Sequence, residues 1–184
     1  LAHAGTRFGG WGVAGAGLSL WPFAPGRGVS GPGGRAPTPA SASAGRAGQA
    51  LAPFGELRDA GVTLFTDDGN GVQDPLLMRR ALEYARDLDI TLAQHCEVSS
   101  LTVGAVMHEG SCCSHLGLPG WPAVAEELMV HRDIELVRLT GSRIHFLHLS
   151  TERSVEMVRR AKAEGLPITA EATPHHFTLT DEAL

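Results

Sequence analysis

The chain has 184 residues, 43% of them apolar, and a formal net charge of −5. That length suits one domain with a sizeable core, the acidic balance argues against a nucleic-acid role, and the apolar runs are too short to span a bilayer. Three cysteines, two of them adjacent (Cys112, Cys113), make no disulfide framework and no secretory signal is legible, so a reducing cytoplasm is the expected compartment.

Composition changes sharply along the chain. The first acidic residue is Glu56, and residues 21–48, "WPFAPGRGVSGPGGRAPTPASASAGRAG", have neither a strand nor a helix period. Residues 1–44 therefore read as a Gly/Ala/Pro-rich irregular leader, either a disordered tail or sequence in a shifted reading frame. Residues 45–184 read as the folded domain. "VTLFT" (62–66) is the first expected strand. Asp74-Pro75 opens a helix, with Asp as N-cap and Pro at the first helical position. Leu77, Ala81, Tyr84, Ala85 and Leu88 then share one face. "ITLAQH" (90–95) is the second strand, followed by a loop through "MHEGSCCSHLGLPGW" and a helical pattern over 122–139. "RIHFLHLS" (143–150) is the third strand, 154–165 a helix ending at Gly165, "PITAEATP" (167–174) the fourth strand, and "TDEAL" (180–184) the start of a helix.

Apolar strands alternating with crossover helices imply an α/β fold with a parallel sheet. No GxGxxG or P-loop opens a helix, and the polar residues gather where strands end, which is the catalytic face of a barrel. The expected architecture is a partial (β/α)8 TIM barrel of roughly four βα units.

Three strand ends offer metal ligands: Asp68, His95 and His148. Carboxylate and imidazole suit zinc and its neighbours, and a bound metal lowers the pKa of its water towards neutrality, which suits attack on an amide carbonyl. Alternation along an extended chain sends Asp67 and Asp68 in opposite directions. His145 and His148, three apart, also fall on opposite faces; His148 lies nearer the strand end, and His145 is expected to pack under a helix. His175-His176 reads as a strand-to-loop junction. Cys112, Cys113 and His115 lack a zinc-knuckle spacing and read as loop or substrate-gate residues. Cys96 is expected to be a small buried packer, and Glu97 either orients a ligand or is a solvated loop acid. Arg79, Arg80, Arg159 and Arg160 read as solvated helix faces.

"GELRDAGVTLFTDDGNGVQDPLLMRRALEYA", "AQHCE", "VGAVMHEG", "GLPGWPAVAEELMVHRDIEL", "RIHFLHLST" and "AKAEGLPITAEATPHHFTLTDEAL" together resemble the class I dihydroorotases of the amidohydrolase superfamily. The resemblance covers about residues 45–184. It implies a (β/α)8 barrel with two zinc ions that interconverts L-dihydroorotate and N-carbamoyl-L-aspartate in pyrimidine biosynthesis. It further implies that Asp68, the second Asp of DDG, bridges the two metals, with His95 and His148 completing the shell of one of them. Related hydantoinases and allantoinases usually bridge their metals with a carboxylated lysine. The sole lysine, Lys162, falls on an expected helix, so the chain fits the Asp-bridged class.

The departures from the family pattern are equally specific. No HxH occurs in the 184 residues, so the family's HxHxR motif, with its arginine for the substrate carboxylate, is expected upstream of residue 1. The family's general acid/base Asp is expected beyond residue 184, which assigns no catalytic residue within this chain and leaves its substrate-binding residues unknown. The expectation is therefore an internal dihydroorotase fragment with at most one zinc half-site, inactive alone. The alternatives are a non-catalytic dihydroorotase-like partner of aspartate transcarbamoylase, or an allantoinase- or hydantoinase-type enzyme. The expected partners are a small-molecule substrate and either a second copy of the chain or aspartate transcarbamoylase, with no nucleic acid and no membrane.

Overall fold

A computed structural model of the chain describes residues 39–183, so most of the expected leader, residues 1–38, lies outside the described residues. In chain order the elements are α1 (Phe54–Asp59), β1 (Leu64–Thr66), α2 (Pro75–Asp87), β2 (Thr91–His95), β3 (Met107–His108), α3 (Ser111–Leu116), β4 (Gly120–Trp121), α4 (Val124–Thr140), β5 (Ile144–Leu147), α5 (Glu152–Ala163), β6 (Ile168–Ala170) and α6 (Pro174–Thr178). Strands β1, β2, β5 and β6 form one parallel sheet in that order. Helices α2, α4 and α5 are the crossovers, and neighbouring helices pack on one another. No helix among the described residues is long and apolar enough to cross a membrane.

The register sorts the side chains into rows. Phe65, Leu92, Ile144 and Ile168 are register partners and all lie in the core with α2, α4 and α5. The next row, Thr66, Ala93, His145 and Thr169, points to the opposite face. Gln94, Phe146 and Ala170 return to the helix side, and His95 and Leu147 end the ladder on the concave side. Phe54, Phe65 and Phe146 are fully buried. Each contributes about 1.5–3 kcal/mol by leaving water.

The helix starts follow their local chemistry. Asp74 Oδ1 accepts from Leu77 N at 2.6 Å, with Pro75 in the first turn. Thr151 Oγ1 accepts from Ser154 N at 3.3 Å, so α5 begins two residues earlier than its apolar period suggests. The fourth strand ends at Ala170 rather than at Pro174, because Pro174 takes the first position of α6. Tyr84 is 42% exposed. It stacks on Phe54 at 5.6 Å between ring centroids instead of joining the centre of the core, while Met78 and Leu82 supply buried faces that the five-residue stripe leaves out.

Two regions differ from the sequence reading. Ala40, counted there with the leader, joins the β1 edge of the sheet. Ala40 bridges Phe65 in parallel, donating to Leu64 O at 3.0 Å and accepting from Thr66 N at 2.8 Å. The excursion after β2, expected as a loop, contains the β3–β4 parallel pair and α3. These strands are two residues long, too short for any period to register in the sequence.

Candidate metal centre

The centre is assembled at the carboxyl ends of β1, β2 and β5. Residue Asp67 falls on the helix side and is 1% exposed. Its Oδ1 accepts from Ala42 N and Ser43 N, both at 3.0 Å, and its Oδ2 from the Ser43 hydroxyl. Asp67 therefore pins the segment entering the sheet. Asp68, one residue on, points to the other face and towards the two histidines. Gly69 (φ 89°) turns the chain, and at Gly71 (φ 64°) a Cβ would overlap the His95 carbonyl oxygen. Only glycine fits that close approach.

His95 ends β2 on the concave side. Its partner on β5 is Leu147, so regular alternation would send His148 towards the helices. Instead His148 adopts φ 37°, a left-handed conformation that costs a non-glycine residue about 1–3 kcal/mol. That single departure brings its ring to His95 and Asp68. His95 Nδ1 lies 3.1 Å from His148 Nε2, and each nitrogen is 3.3 Å from Asp68 Oδ1. Among the described residues these three form the group that could hold a metal ion, with one ligand atom from each within 4.8 Å of the others.

The outer atoms of the cluster are also held. His95 Nε2 lies 2.9 Å from Glu97 Oε2, and Glu97 Oε1 accepts from the Thr102 hydroxyl. A carboxylate at Nε2 favours the tautomer protonated there, in which Nδ1 is the acceptor atom facing Asp68 and His148. Burial raises the Asp68 carboxyl, but the hydrogen bond from His148 and the charges of His148 and His95 outweigh it and hold it below the ordinary value.

His145 corrects one expectation. It stands in the concave row rather than under a helix, because residues 145 and 147 share parity with Ala93 and His95. Its Nδ1 is 2.8 Å from Thr169 Oγ1 and its Nε2 3.4 Å from Glu171 Oε2. Burial lowers its pKa against the raising effect of Glu171. The offset of three thus does separate the two histidines in the strand, yet the backbone at His148 undoes the separation.

The remaining candidates lie outside the three-residue cluster. Cys96 is buried in the core, where burial and the charges of Asp133 and Glu126 push its thiol well up. Cys113 is buried against Gly110, and Cys112 reaches Asp181 O at 3.5 Å. Neither lines the cleft beside the cluster, which does not fit a substrate gate. His176 is buried, with Nδ1 3.2 Å from Leu149 O. Arg79 and Arg160 lie on exposed helix faces as expected, and there they pair with Glu83 and Glu156.

Sequence reasoning missed the supports of the loop after β1. Gln94, fully buried, accepts from Val72 N at 3.1 Å, and Arg132 donates to Val72 O and Gln73 O at 2.8 and 2.7 Å. Arg132 also pairs with the buried Asp133 at 2.8 Å. It missed Glu126 as well, which sits in the first turn of α4. An acid in a first helical turn is a visible signal, but nothing local says what it reaches.

A cleft of about 810 Å³ opens beside the cluster, between the β3–β4 pair, the start of α4 and the ends of β5 and β6. His95, His148, Glu97, Trp121, Arg153 and His175 are among the residues lining it. Polar ligands at strand ends facing a cleft are the arrangement of barrel enzymes.

The chain resembles known proteins over the same region. The family profile described as Dihydro-orotase-like matches residues 38–154. The dihydroorotase of Pelotomaculum thermopropionicum is 53% identical over 140 residues, covering 76% of this chain and 33% of that protein. That of Streptomyces coelicolor is 52% identical over 140 residues, covering 75% and 33%. The chain therefore spans about a third of the length of these relatives. Among solved structures, a D-hydantoinase (dihydropyrimidinase) from Thermus sp. superposes with a TM-score of 0.54 at 24% identity, over 71% of this chain and 31% of that one. A D-hydantoinase from Bacillus sp. AR9 gives 0.55 at 20% identity, over 70% and 30%. The parallel sheet with its crossover helices is thus part of a (β/α)8 barrel, and the chain belongs to the dihydro-orotase-like family.

Proposed function

We propose that the protein is a zinc-dependent dihydroorotase of the cytoplasm, which interconverts L-dihydroorotate and N-carbamoyl-L-aspartate in pyrimidine biosynthesis. The observation that carries this reading is the convergence of Asp68, His95 and His148 on one point at three adjacent strand ends, in a chain about 50% identical to dihydroorotases. The donor set fits a zinc ion. Two imidazole nitrogens 3.1 Å apart, both facing a carboxylate oxygen, offer lone pairs to a common centre, and nitrogen and carboxylate oxygen are ordinary zinc ligands. Zinc would supply Lewis-acid polarisation of the ring amide and a water acidic enough to act near neutrality.

The chain's own residues prepare that chemistry. Glu97 holds the His95 Nε2 proton and so presents Nδ1 as the ligand atom. Asp68 brings negative charge and has a second oxygen to offer a neighbouring cation. The cleft between β4 and α6 receives the ring and restricts water around it. The partner this reading requires is a small anionic cyclic amide, and assembly with a second copy or with aspartate transcarbamoylase belongs to the same proposal.

The test is an assay on dihydroorotate, allantoin and hydantoin, before and after chelation and zinc return, of the chain carried in a protein of its relatives' full length; the 184 residues alone are expected to be inactive. Zinc-dependent turnover of dihydroorotate alone is expected. Preference for hydantoin or allantoin would move the assignment within the cyclic amidohydrolases. A protein that binds no zinc stoichiometrically would sink the enzyme reading in favour of a scaffold.

A further inference from the structure

The left-handed backbone at His148 must be held by something, and the structure shows what holds it. The three residues that follow are tied from two sides. Leu149 N donates to Glu171 O at 2.8 Å, and Leu149 O lies 3.2 Å from His176 Nδ1. Ser150 and Thr151 are both tied to one side chain, Glu126. Its Oε2 accepts from Ser150 N at 2.9 Å and Ser150 Oγ at 2.8 Å. Its Oε1 accepts from Thr151 N at 3.0 Å and Thr151 Oγ1 at 2.8 Å. Glu126 is 7% exposed and Ser150 6% exposed, so water cannot take over these bonds.

The carboxylate stands in the first turn of α4 and caps the residues leading into α5, at the positive ends of both helices. Its four acceptor directions match four donors, a match that neither a neutral amide nor a shorter acid reproduces. Thr151 Oγ1 in turn lies 2.7 Å from Ser154 Oγ and receives Ser154 N, so the clamp continues into the α5 cap.

We infer that Glu126 is the positioning residue of the metal centre. By fixing Ser150 and Thr151 it holds His148 in the left-handed conformation that turns Nε2 towards Asp68 and His95. It stands outside the metal-ligand group and acts through the backbone of His148. The inference rests on the reading of Asp68, His95 and His148 as metal ligands, and deepens it.

The experiment measures zinc affinity by chelator competition, and the visible spectrum of the cobalt-loaded full chain, for the native protein and for four variants. His148→Ala tests the ligand reading. Glu126→Gln tests the clamp, since an amide would set an NH2 group against a backbone donor. Ser150→Ala removes one donor while leaving the carboxylate in place. Glu135→Gln, exposed at the middle of α4, controls for a general effect on that helix. Loss of an outer support of a ligand typically weakens metal binding about 10–100-fold. Glu126→Gln is expected to fall in that range and to shift the cobalt spectrum towards that of His148→Ala. Ser150→Ala should weaken binding by a smaller factor in the same direction, and Glu135→Gln should match the native protein. If His148→Ala binds zinc like the native chain, the ligand reading fails and the inference with it. If His148→Ala weakens binding while Glu126→Gln and Ser150→Ala keep native affinity and spectrum, the inference alone is overturned. Should Glu126→Gln not fold, Ser150→Ala decides by the same criteria.

Discussion

The turn after β1 and the turn after β5 each deliver a residue to the same centre, by opposite means. After β1, strict alternation sends Asp67 inward to Ala42 and Ser43 and Asp68 outward to the histidines. Local sequence is enough for that. After β5, alternation would turn His148 away, and a left-handed residue overrides it. A conformation that the local chain disfavours has to be supplied by distant groups, here Glu126, Glu171 and His176. The difference shows that equally placed ligands need not be equally encoded.

The largest expected effect tests the division of labour in the acid pair. Asp67→Ala leaves two buried amides and a hydroxyl without their acceptor, at about 1–3 kcal/mol each, so urea unfolding should show a loss on the order of 5 kcal/mol. Asp68→Ala, at an exposed carboxylate, should leave stability nearly unchanged and remove zinc binding. Equal effects of the two variants on both measurements would erase the contrast.

Gly71→Ala should come next. The substitution combines a positive φ with overlap on the His95 carbonyl. A loss of about 3–4 kcal/mol is expected, with weakened zinc binding because the displaced backbone carries His95. Native unfolding midpoints would mean that the loop after β1 yields more easily than its contacts imply.

A smaller, pH-dependent effect concerns the support beneath that loop. Burial pushes the Asp133 carboxyl up from 3.8 to about 6, against the opposing effect of Arg132, and its Oδ2 has no hydrogen-bond partner among the described residues. A carboxyl raised on folding keeps its proton longer in the folded state. Its stabilising share is present in full below pH about 4 and is lost as pH rises through about 6, a change of about 3 kcal/mol. Asp133→Asn should flatten the unfolding free energy over that window. An unchanged slope would assign the pH dependence to another group.

Much of the fold was legible because it rests on local rules. The apolar runs at 62–66, 90–95 and 143–150, the Asp74-Pro75 start and Gly165 after α5 mark elements that the structure contains. The β3–β4 pair was not legible, since two-residue strands carry no period. The sheet partner at Ala40 was hidden by a composition rich in glycine and proline on its N-terminal side.

For the site, sequence by itself determined which residue types stand at the strand ends, and that Asp67 and Asp68 diverge, because side-chain direction in an extended chain is a property of parity. It also determined the family, through the order of DDG, QHxE, HxxHxST and EATPHH. Only the tertiary structure decided that His145 lies on the concave face and that His148 reaches its partners. The register between β2 and β5, and the carboxylate of Glu126 on another helix, set those directions. A long-range hydrogen bond that selects a disfavoured backbone conformation leaves no trace in the local sequence it acts upon.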